Sequence, residues 1–349
     1  MEPAETEIAG GARPVLESAL IRRWAQDAGF DLCGFARAEP IPSESLTQWL
    51  SAGMAADMQW MNARAADRLD VGRLLPRART VVALACNYYT PDESAPDSPV
   101  ARYARGRDYH ATLKDRLRAL RRALNEHYPD VRSYASVDTA PVMEKVWAAR
   151  AGLGYVGRNG CFITEEFGSF VVLATMILDA DVDAWAAGTA PDRCGSCNLC
   201  VNVCPTEAIV ADATVDARRC LSYQTIENRG ESPEELRPAL AGMAFGCDIC
   251  QDICPLNLDP VPAQRGFAPR PIAKLRVEEL AALSLERYRQ LVPGTAVARA
   301  KYDGLRRNAI YALGAARDRD ALPLLQNLCA DPSELVRSAA RWAIRQLKA

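Results

Sequence analysis

The run Cys194-Gly-Ser-Cys197-Asn-Leu-Cys200-Val-Asn-Val-Cys204-Pro205 constrains this chain more than any other feature. It is a complete C-x2-C-x2-C-x3-C-P pattern, the spacing with which bacterial proteins hold a [4Fe–4S] cluster. Three thiolates wrap one cubane, and the proline turn carries the fourth past it to a second. A second run, Cys247-Asp-Ile-Cys250-Gln-Asp-Ile-Cys254-Pro255, is one ligand short. Cys220, the only other cysteine between the two runs, supplies the missing thiolate. Crossed ligation then assigns Cys194, Cys197, Cys200 and Cys254 to one cluster, and Cys204, Cys220, Cys247 and Cys250 to the other. Twenty-six residues, Leu221 to Gly246, separate Cys220 from Cys247. A plain ferredoxin has about two at that point, so something has been built between the halves of the motif. A zinc ribbon pairs C-x2-C knuckles, which accounts for neither the third regularly spaced thiol nor the two Cys-Pro endings.

A chain of 349 residues suggests two domains or slightly more. With eight of its twelve cysteines assigned to clusters, it belongs in a reducing compartment. The other four, Cys33, Cys86, Cys161 and Cys329, are scattered and read as small buried hydrophobes. No stretch approaches the roughly eighteen apolar residues of a membrane span. The acidic start Met1-Glu-Pro-Ala-Glu-Thr-Glu7 has no apolar region of the kind a signal peptide needs. A cytoplasmic protein is therefore expected. Net charge near −2 argues against a uniformly basic nucleic-acid coat. From Lys301 onward, however, nine Lys/Arg face five Asp/Glu, and a local basic patch suffices for one structured RNA.

Periodicity predicts helices over 16–28, 115–126 and 143–151, and strands over 81–89, 133–137 and 170–178. Residues 1–180 thus form an α+β or α/β domain, followed by an iron–sulfur module over 181–260. Prolines at 260, 262, 269 and 271 mark the next boundary. In the last part, 261–349, Arg307-Asn-Ala-Ile-Tyr-Ala-Leu313 matches Arg337-Ser-Ala-Ala-Arg-Trp-Ala343 thirty residues on. This is the grammar of HEAT-like helix pairs. One and a half units cannot stand alone and must dock on the rest. Arg307, Arg337, Arg341 and Arg345 are expected to line one side as an RNA-backbone surface.

Gly152-Leu-Gly154-Tyr-Val-Gly157 fits G-x-G-x-x-G, yet it follows a helix and precedes a strand, the reverse of a dinucleotide fingerprint. The glycines, with Arg158-Asn159-Gly160, instead offer bare backbone to a flat, amide-fringed cofactor. Asp138 follows a predicted strand, where aspartate often serves a turn or cap. The two histidines, His110 and His127, make no three-histidine metal site, and no Asp-x-His-x-x-Gly loop is present to ligate cobalamin.

Together these residues resemble the bacterial epoxyqueuosine reductases. The likeness rests on Tyr103-Ala-x-Gly-Arg-Asp-Tyr-His110, Val137-Asp-Thr-Ala-Pro-Val-Met-Glu-Lys145, Ala151-Gly-Leu-Gly-Tyr-Val-Gly-Arg-Asn159, both cysteine runs, Cys220-Leu-Ser-Tyr-Gln-Thr-Ile-Glu227 and Arg307-Asn-Ala-Ile-Tyr-Ala-Leu-Gly314. It spans roughly residues 15–349. The resemblance implies an N-terminal cobalamin-binding domain, two [4Fe–4S] clusters, and a tRNA bearing epoxyqueuosine at its wobble position. The implied reaction removes the epoxide oxygen as water. Electrons would come from a low-potential flavodoxin or ferredoxin-like donor, and the chain would act as a monomer. By match to the family motif Asp138 is the general acid, with a pKa raised by burial under corrin and nucleoside. Corrin contacts are implied for Arg68, Tyr103, Asp138, Met143, Gly157, Arg158, Asn159, Phe162, Thr164, Ser222 and Thr225, the last two carried by the segment that splits the ferredoxin motif. Without a ligating histidine loop, the lower cobalt face is expected to stay free of protein ligands. Two alternatives remain: a cobalamin-dependent reductive dehalogenase, which lacks a basic repeat, and a ferredoxin-like electron carrier, which leaves residues 1–180 unexplained.

Overall fold

The apolar run around residue 84 is the second strand of a four-stranded sheet, and helices cover both faces of it. The computed structural model describes residues 14–348 apart from positions 92, 94, 96 and 265. The acidic segment Met1–Glu7 lies outside the described residues.

In chain order the first domain contains α1 (Ser18–Asp27), β1 (Leu32–Arg37), the short helices α2 (Glu44–Ser51), α3 (Gln59–Ala63) and α4 (Ala65–Leu69), and β2 (Thr80–Asn87). There follow α5 (Tyr109–His127), β3 (Ser133–Ser136), α6 (Glu144–Arg150), the small hairpin of β4 (Tyr155–Val156) and β5 (Phe162–Ile163), and β6 (Val171–Leu178). The strand order is β1-β2-β6-β3, and every neighbouring pair is antiparallel. Of the two fold classes expected, the structure is therefore α+β. Val82, Leu84 and Cys86 share a core with Ile21 of α1 and Leu113, Leu117, Leu120 and Leu124 of α5. Val81 and Ala83 point the other way, toward Trp147 and Ala148 of α6. Burial on both faces is why β2 reads as one unbroken apolar run instead of an alternating one. Each such Val or Leu contributes about 1.5–3 kcal/mol.

Helix α5 begins six residues before the periodic stretch. Its first turn is polar, so apolar spacing cannot reveal it. Asp108 caps it, accepting a hydrogen bond from the backbone N–H of His110 at 3.0 Å. That early start sets Tyr109 and His110 at one end of the sheet, opposite Asp138.

The iron–sulfur module holds α7 (Leu199–Val203), β7 (Ile209–Ala211), β8 (Thr214–Val215), α8 (Leu221–Ile226) and α9 (Ile249–Asp252). Helices α7 and α9 pack together, and the proline after each closing cysteine prevents the helix from continuing. The last part contains α10 (Val277–Ala281), α11 (Leu285–Leu291), α12 (Tyr302–Ala315), α13 (Leu322–Leu328) and α14 (Glu334–Lys348). Small residues let α12 and α14 approach closely. A Cβ on Gly314 would sit 2.7 Å from the Ala343 backbone, and Tyr311 meets Trp342 edge-on at 5.4 Å. The repeat does dock on the rest. Leu221, Leu240, Ala244 and Phe245 of the inserted segment lie in the same core as Leu305, Ala309, Leu325 and Val336.

The expected row of phosphate-binding arginines fails at Arg307, which is fully buried. Its guanidinium donates to the carbonyls of Gln224 at 2.8 Å, Asn228 at 3.0 Å and Gly230, all in the inserted segment. Asn308 beside it donates to the carbonyls of Thr225 and Ala244. An irregular segment packed against a helix needs donors for its carbonyls, and this pair supplies them. Arg337 and Arg341 are both paired with Glu334, and Arg345 reaches Glu234 at 3.8 Å. Arg307→Ala should strand three carbonyl oxygens and cost about 3 kcal/mol or more, seen as a lowered thermal midpoint. Arg307→Lys should recover little of it, because an ammonium cannot reproduce the planar fork.

Candidate active site and cluster ligands

Cysteines of both runs come together in space. A small hollow is lined by Cys194, Cys197, Cys200 and Cys254, together with Arg158 and Leu199. Cys194, Cys197 and Cys161 act electrostatically on Cys254. Cys247 and Cys220 are both influenced by Cys204, and Cys250 by Cys247 and Cys220. None of the twelve cysteines forms a disulfide. Burial pushes the Cys247 thiol up to about 12. Such a thiol becomes a ligand only when a metal's positive charge stabilises its thiolate, and the donor set fits two cubanes.

Arg158 and Asn159, expected to touch the corrin, spend their side-chain hydrogen bonds on the iron–sulfur module. The Arg158 guanidinium donates to the carbonyls of Cys197 at 2.8 Å and Gly195 at 3.1 Å, and it pairs with Asp212. Asn159 accepts the Cys161 N–H at 3.0 Å and donates to the Cys250 carbonyl at 3.4 Å. Gly154 and Gly157 likewise offer no open backbone. A Cβ on Gly154 would meet the Ile163 carbonyl at 2.0 Å, and one on Gly157 would meet the Ile163 side chain at 2.4 Å. These glycines permit the β4–β5 hairpin to close. As the sequence indicated, they lie after a helix and before or within a strand, so no dinucleotide turn forms. Thr164 and Thr225 also spend their hydroxyls on their own chain. Thr164 accepts from Phe167 N and donates to the Gly168 carbonyl. Thr225 donates to the Leu221 carbonyl and accepts from Gly246 N at 2.9 Å. Ser222 is half-buried on α8.

Three of the expected residues, Tyr103, Asp138 and Phe162, do converge on one cleft of about 240 Å³. Its wall is aromatic and aliphatic (Tyr88, Tyr109, Val171 to Leu173), and Glu144 and Lys145 bring charge to it. Cys161 and Gln251 line it too, and Cys161 hydrogen-bonds the ligand Cys250, so cleft and cluster ligands abut. Cys161 is thus no isolated core thiol. Met143 caps α6 next to Glu144. Arg68 feels the charges of Glu144 and Asp138, and its buried Nε has no hydrogen-bond partner. An apolar wall, a charged edge and an orphaned guanidinium N–H fit one face of a flat, amide-fringed macrocycle. A larger cavity of about 490 Å³ beside Asp31 and Arg116 contains no cluster ligand and none of the expected residues.

Asp138 occupies a left-handed turn after β3, with φ of 53°. Aspartate tolerates this region better than most residues, and such strain concentrates at functional sites. Its carboxylate accepts from the Tyr109 hydroxyl at 2.8 Å and contacts His110 Nε2 at 3.0 Å. His110 Nδ1 lies 2.7 Å from Asp108. The Asp138 N–H donates to Glu144 at 2.9 Å, which holds the turn to α6. Burial disfavours the Asp138 carboxylate, but the His110 and Tyr109 hydrogen bonds outweigh it and its pKa is lowered. The expected upward shift is absent. Burial likewise opposes charge on His110, yet Asp108 and Asp138 prevail and push it up to about 9. Burial pushes Glu144 up to about 7. Sequence reading placed Asp108, Tyr109 and His110 in a polar, aromatic motif but assigned them no role. Their signal was the Asp-Tyr-His order ahead of a helix.

Comparison with known proteins agrees along the chain. Residues 68–139 match the family model for epoxyqueuosine reductase, residues 193–257 a 4Fe-4S double cluster binding domain, and residues 295–349 HEAT repeats. The epoxyqueuosine reductase of Gloeobacter violaceus is 42% identical over 313 residues, covering 86% of this chain and 97% of the relative. The chain belongs to the epoxyqueuosine reductase family. That of Pseudomonas aeruginosa is 35% identical over 339 residues, 93% of each chain. Among solved structures, an epoxyqueuosine reductase with an epoxyqueuosine-modified tRNA-Tyr stem loop has a TM-score of 0.85 at 30% identity, covering 94% of this chain and 89% of the other. The Bacillus subtilis epoxyqueuosine reductase with its aspartate catalytic loop swung out of the active site gives the same values. Among the described residues, no helix is long and apolar enough to cross a membrane.

The crossed ligand sets can be tested directly. Cys254→Ser should damage the cluster held by Cys194, Cys197 and Cys200, and Cys204→Ser the one held by Cys220, Cys247 and Cys250. Electron paramagnetic resonance of each reconstituted, reduced variant should show the opposite run's signal altered.

Proposed function

We propose that this chain reduces the epoxide of epoxyqueuosine at the wobble position of tRNA to the alkene of queuosine, with cobalamin in the cleft and electrons relayed through two [4Fe–4S] clusters. The observation that carries the reading is the position of Asp138. It stands in a left-handed turn at an aromatic cleft whose inner wall touches a cluster ligand. Two electrons and two protons turn the epoxide into alkene and water. No side chain supplies electrons at low potential; when bound, the clusters and the corrin's cobalt supply them.

The chain's own part is to bind, orient and handle protons. The aromatic and aliphatic wall (Tyr88, Tyr103, Phe162) offers a flat apolar contact for the corrin, and Arg68 and Lys145 offer donors to its amide fringe. His110 keeps both ring nitrogens on aspartates, and His127 packs against Trp24 and Tyr128 at the far end of α5. At neutral pH the proton of the Asp138–His110 pair rests on the imidazole, because the histidine's affinity is raised and the aspartate's lowered. Asp138 relays that proton from His110 to the departing oxygen, and the second proton of the released water comes from solvent; Tyr109 fixes the orientation of Asp138, and Asp108 holds the imidazole. This is general-acid catalysis by a pair. The Bacillus subtilis relative names an aspartate loop as catalytic, and Asp138 is the corresponding choice here. A low-potential flavodoxin or ferredoxin-like protein serves as donor to a cytoplasmic monomer. Exposed Leu199, Ile253 and Leu258 beside the first cluster's ligands support electron entry there.

The overall test is to incubate reconstituted protein with a low-potential reductant, cobalamin and epoxyqueuosine-containing tRNA, then to analyse nucleosides. Queuosine should form, and its absence with intact clusters would overturn the reading. Asp138→Asn should retain clusters and cobalamin but lose about 10²–10⁴-fold in turnover. A pH profile adds a second check. Protonated His110 is the competent form, and its contribution is full below its ordinary pKa of about 6.5. It is lost as pH rises through about 9. Wild-type turnover should therefore decline above about pH 9, and His110→Gln should be slow at every pH without that alkaline limb.

A further inference from the structure

Trp60 is 43% exposed, whereas Trp147 and Trp342 are buried in the cores. It stands on α3, a five-residue helix with no buried residue, so it contributes little to packing. The segment carrying it is nevertheless fixed. The Met54 carbonyl accepts from Ala217 N at 3.0 Å, and Asp57 accepts from the Tyr223 hydroxyl at 3.2 Å. Both tie it to the iron–sulfur module. The guanidinium of Arg299, which comes from the start of the C-terminal helices, lies over the Trp60 ring at 5.1 Å. Arg299 is close enough to the reactive end of the cleft for Asp138 and Tyr109 to act on its charge. Glu227 holds Arg299 through paired hydrogen bonds and also reaches Arg229 at 3.7 Å. Two guanidinium groups thus share one carboxylate at this edge of the cleft.

An exposed, hydrogen-bond-anchored indole beside two guanidinium groups matches the way proteins hold unpaired bases. Every base has a π-face, and stacking on an aromatic ring needs no hydrogen-bond code. A nucleoside that enters the cleft must leave its own stack, and its neighbour then loses a stacking partner. We propose that Trp60 is a stacking platform for a nucleobase adjacent to the modified nucleoside, with Arg299 over the ring and Arg229 toward the RNA backbone. This rests on the functional reading above and assigns the substrate RNA a contact outside the HEAT-like repeat.

The test measures binding of an epoxyqueuosine-modified anticodon stem-loop to cluster- and cobalamin-loaded enzyme. Trp60→Ala should weaken binding roughly 5- to 100-fold, the range expected for loss of one base–aromatic stack. Trp60→Phe should keep most of the affinity. The salt dependence should be unchanged in both, since no phosphate contact is removed. Cobalamin uptake, followed by absorbance, should match wild type. Unaltered stem-loop affinity in Trp60→Ala would overturn the proposal. Loss of cobalamin uptake would also overturn it, by making Trp60 a cofactor contact. Failure of the wild-type enzyme to convert the stem-loop would instead sink the functional reading, so the two outcomes are distinguishable.

Discussion

The carbonyls of the inserted segment, and the donors on α12 that satisfy them, hold this structure together. Cys220 stands just before the insertion and Cys247 just after it. Arg307 and Asn308 grip the backbone at Gln224, Thr225, Asn228, Gly230 and Ala244. Arg307 lies 87 residues after Cys220 and 60 after Cys247, so a helix far downstream holds the segment between two cysteines that a plain ferredoxin keeps close. Each buried carbonyl left without a partner would cost about 1–3 kcal/mol. The C-terminal helices are therefore part of the metal centre's scaffold, whatever they contribute to RNA binding.

A second consequence concerns the cleft. Hydrogen bonds from the β4–β5 loop and α9 bring the cluster loops against its inner wall: Asn159 bonds the Cys250 carbonyl, and Gln251 bonds Tyr88 and Ser169. Cys161, which hydrogen-bonds Cys250, lines the same small space as Asp138 and Tyr109.

The charge arrangement around Asp138 shows why burial alone is a poor guide to protonation. Burial acts on Asp138, His110 and Glu144 alike, yet only Glu144 follows it. A histidine held between two carboxylates reverses the outcome for its neighbour. The proton at this turn belongs to the Asp138–His110 pair and rests mainly on the imidazole.

Much of the molecule was legible in the sequence. The cysteine spacing is a local ligand code, and it pointed to two clusters without tertiary information. Strands β2 and β6 were legible because burial on two faces leaves an unbroken apolar run. The placement of the C-terminal arginines was not. An arginine on a helix looks the same whether it faces phosphate or a buried carbonyl, and only the docked insertion decides. Likewise Gly154 and Gly157 read as open backbone until Ile163 is seen filling the space. Cys161 read as a core thiol because its neighbour Cys250 lies some ninety residues away in the chain. What the sequence determined by itself was covalent spacing and periodicity, both local properties. The protonation of Asp138, the role of Arg307 and the edge formed by Trp60 and Arg299 were decided by tertiary structure, because each depends on the field or contact of residues distant in the chain.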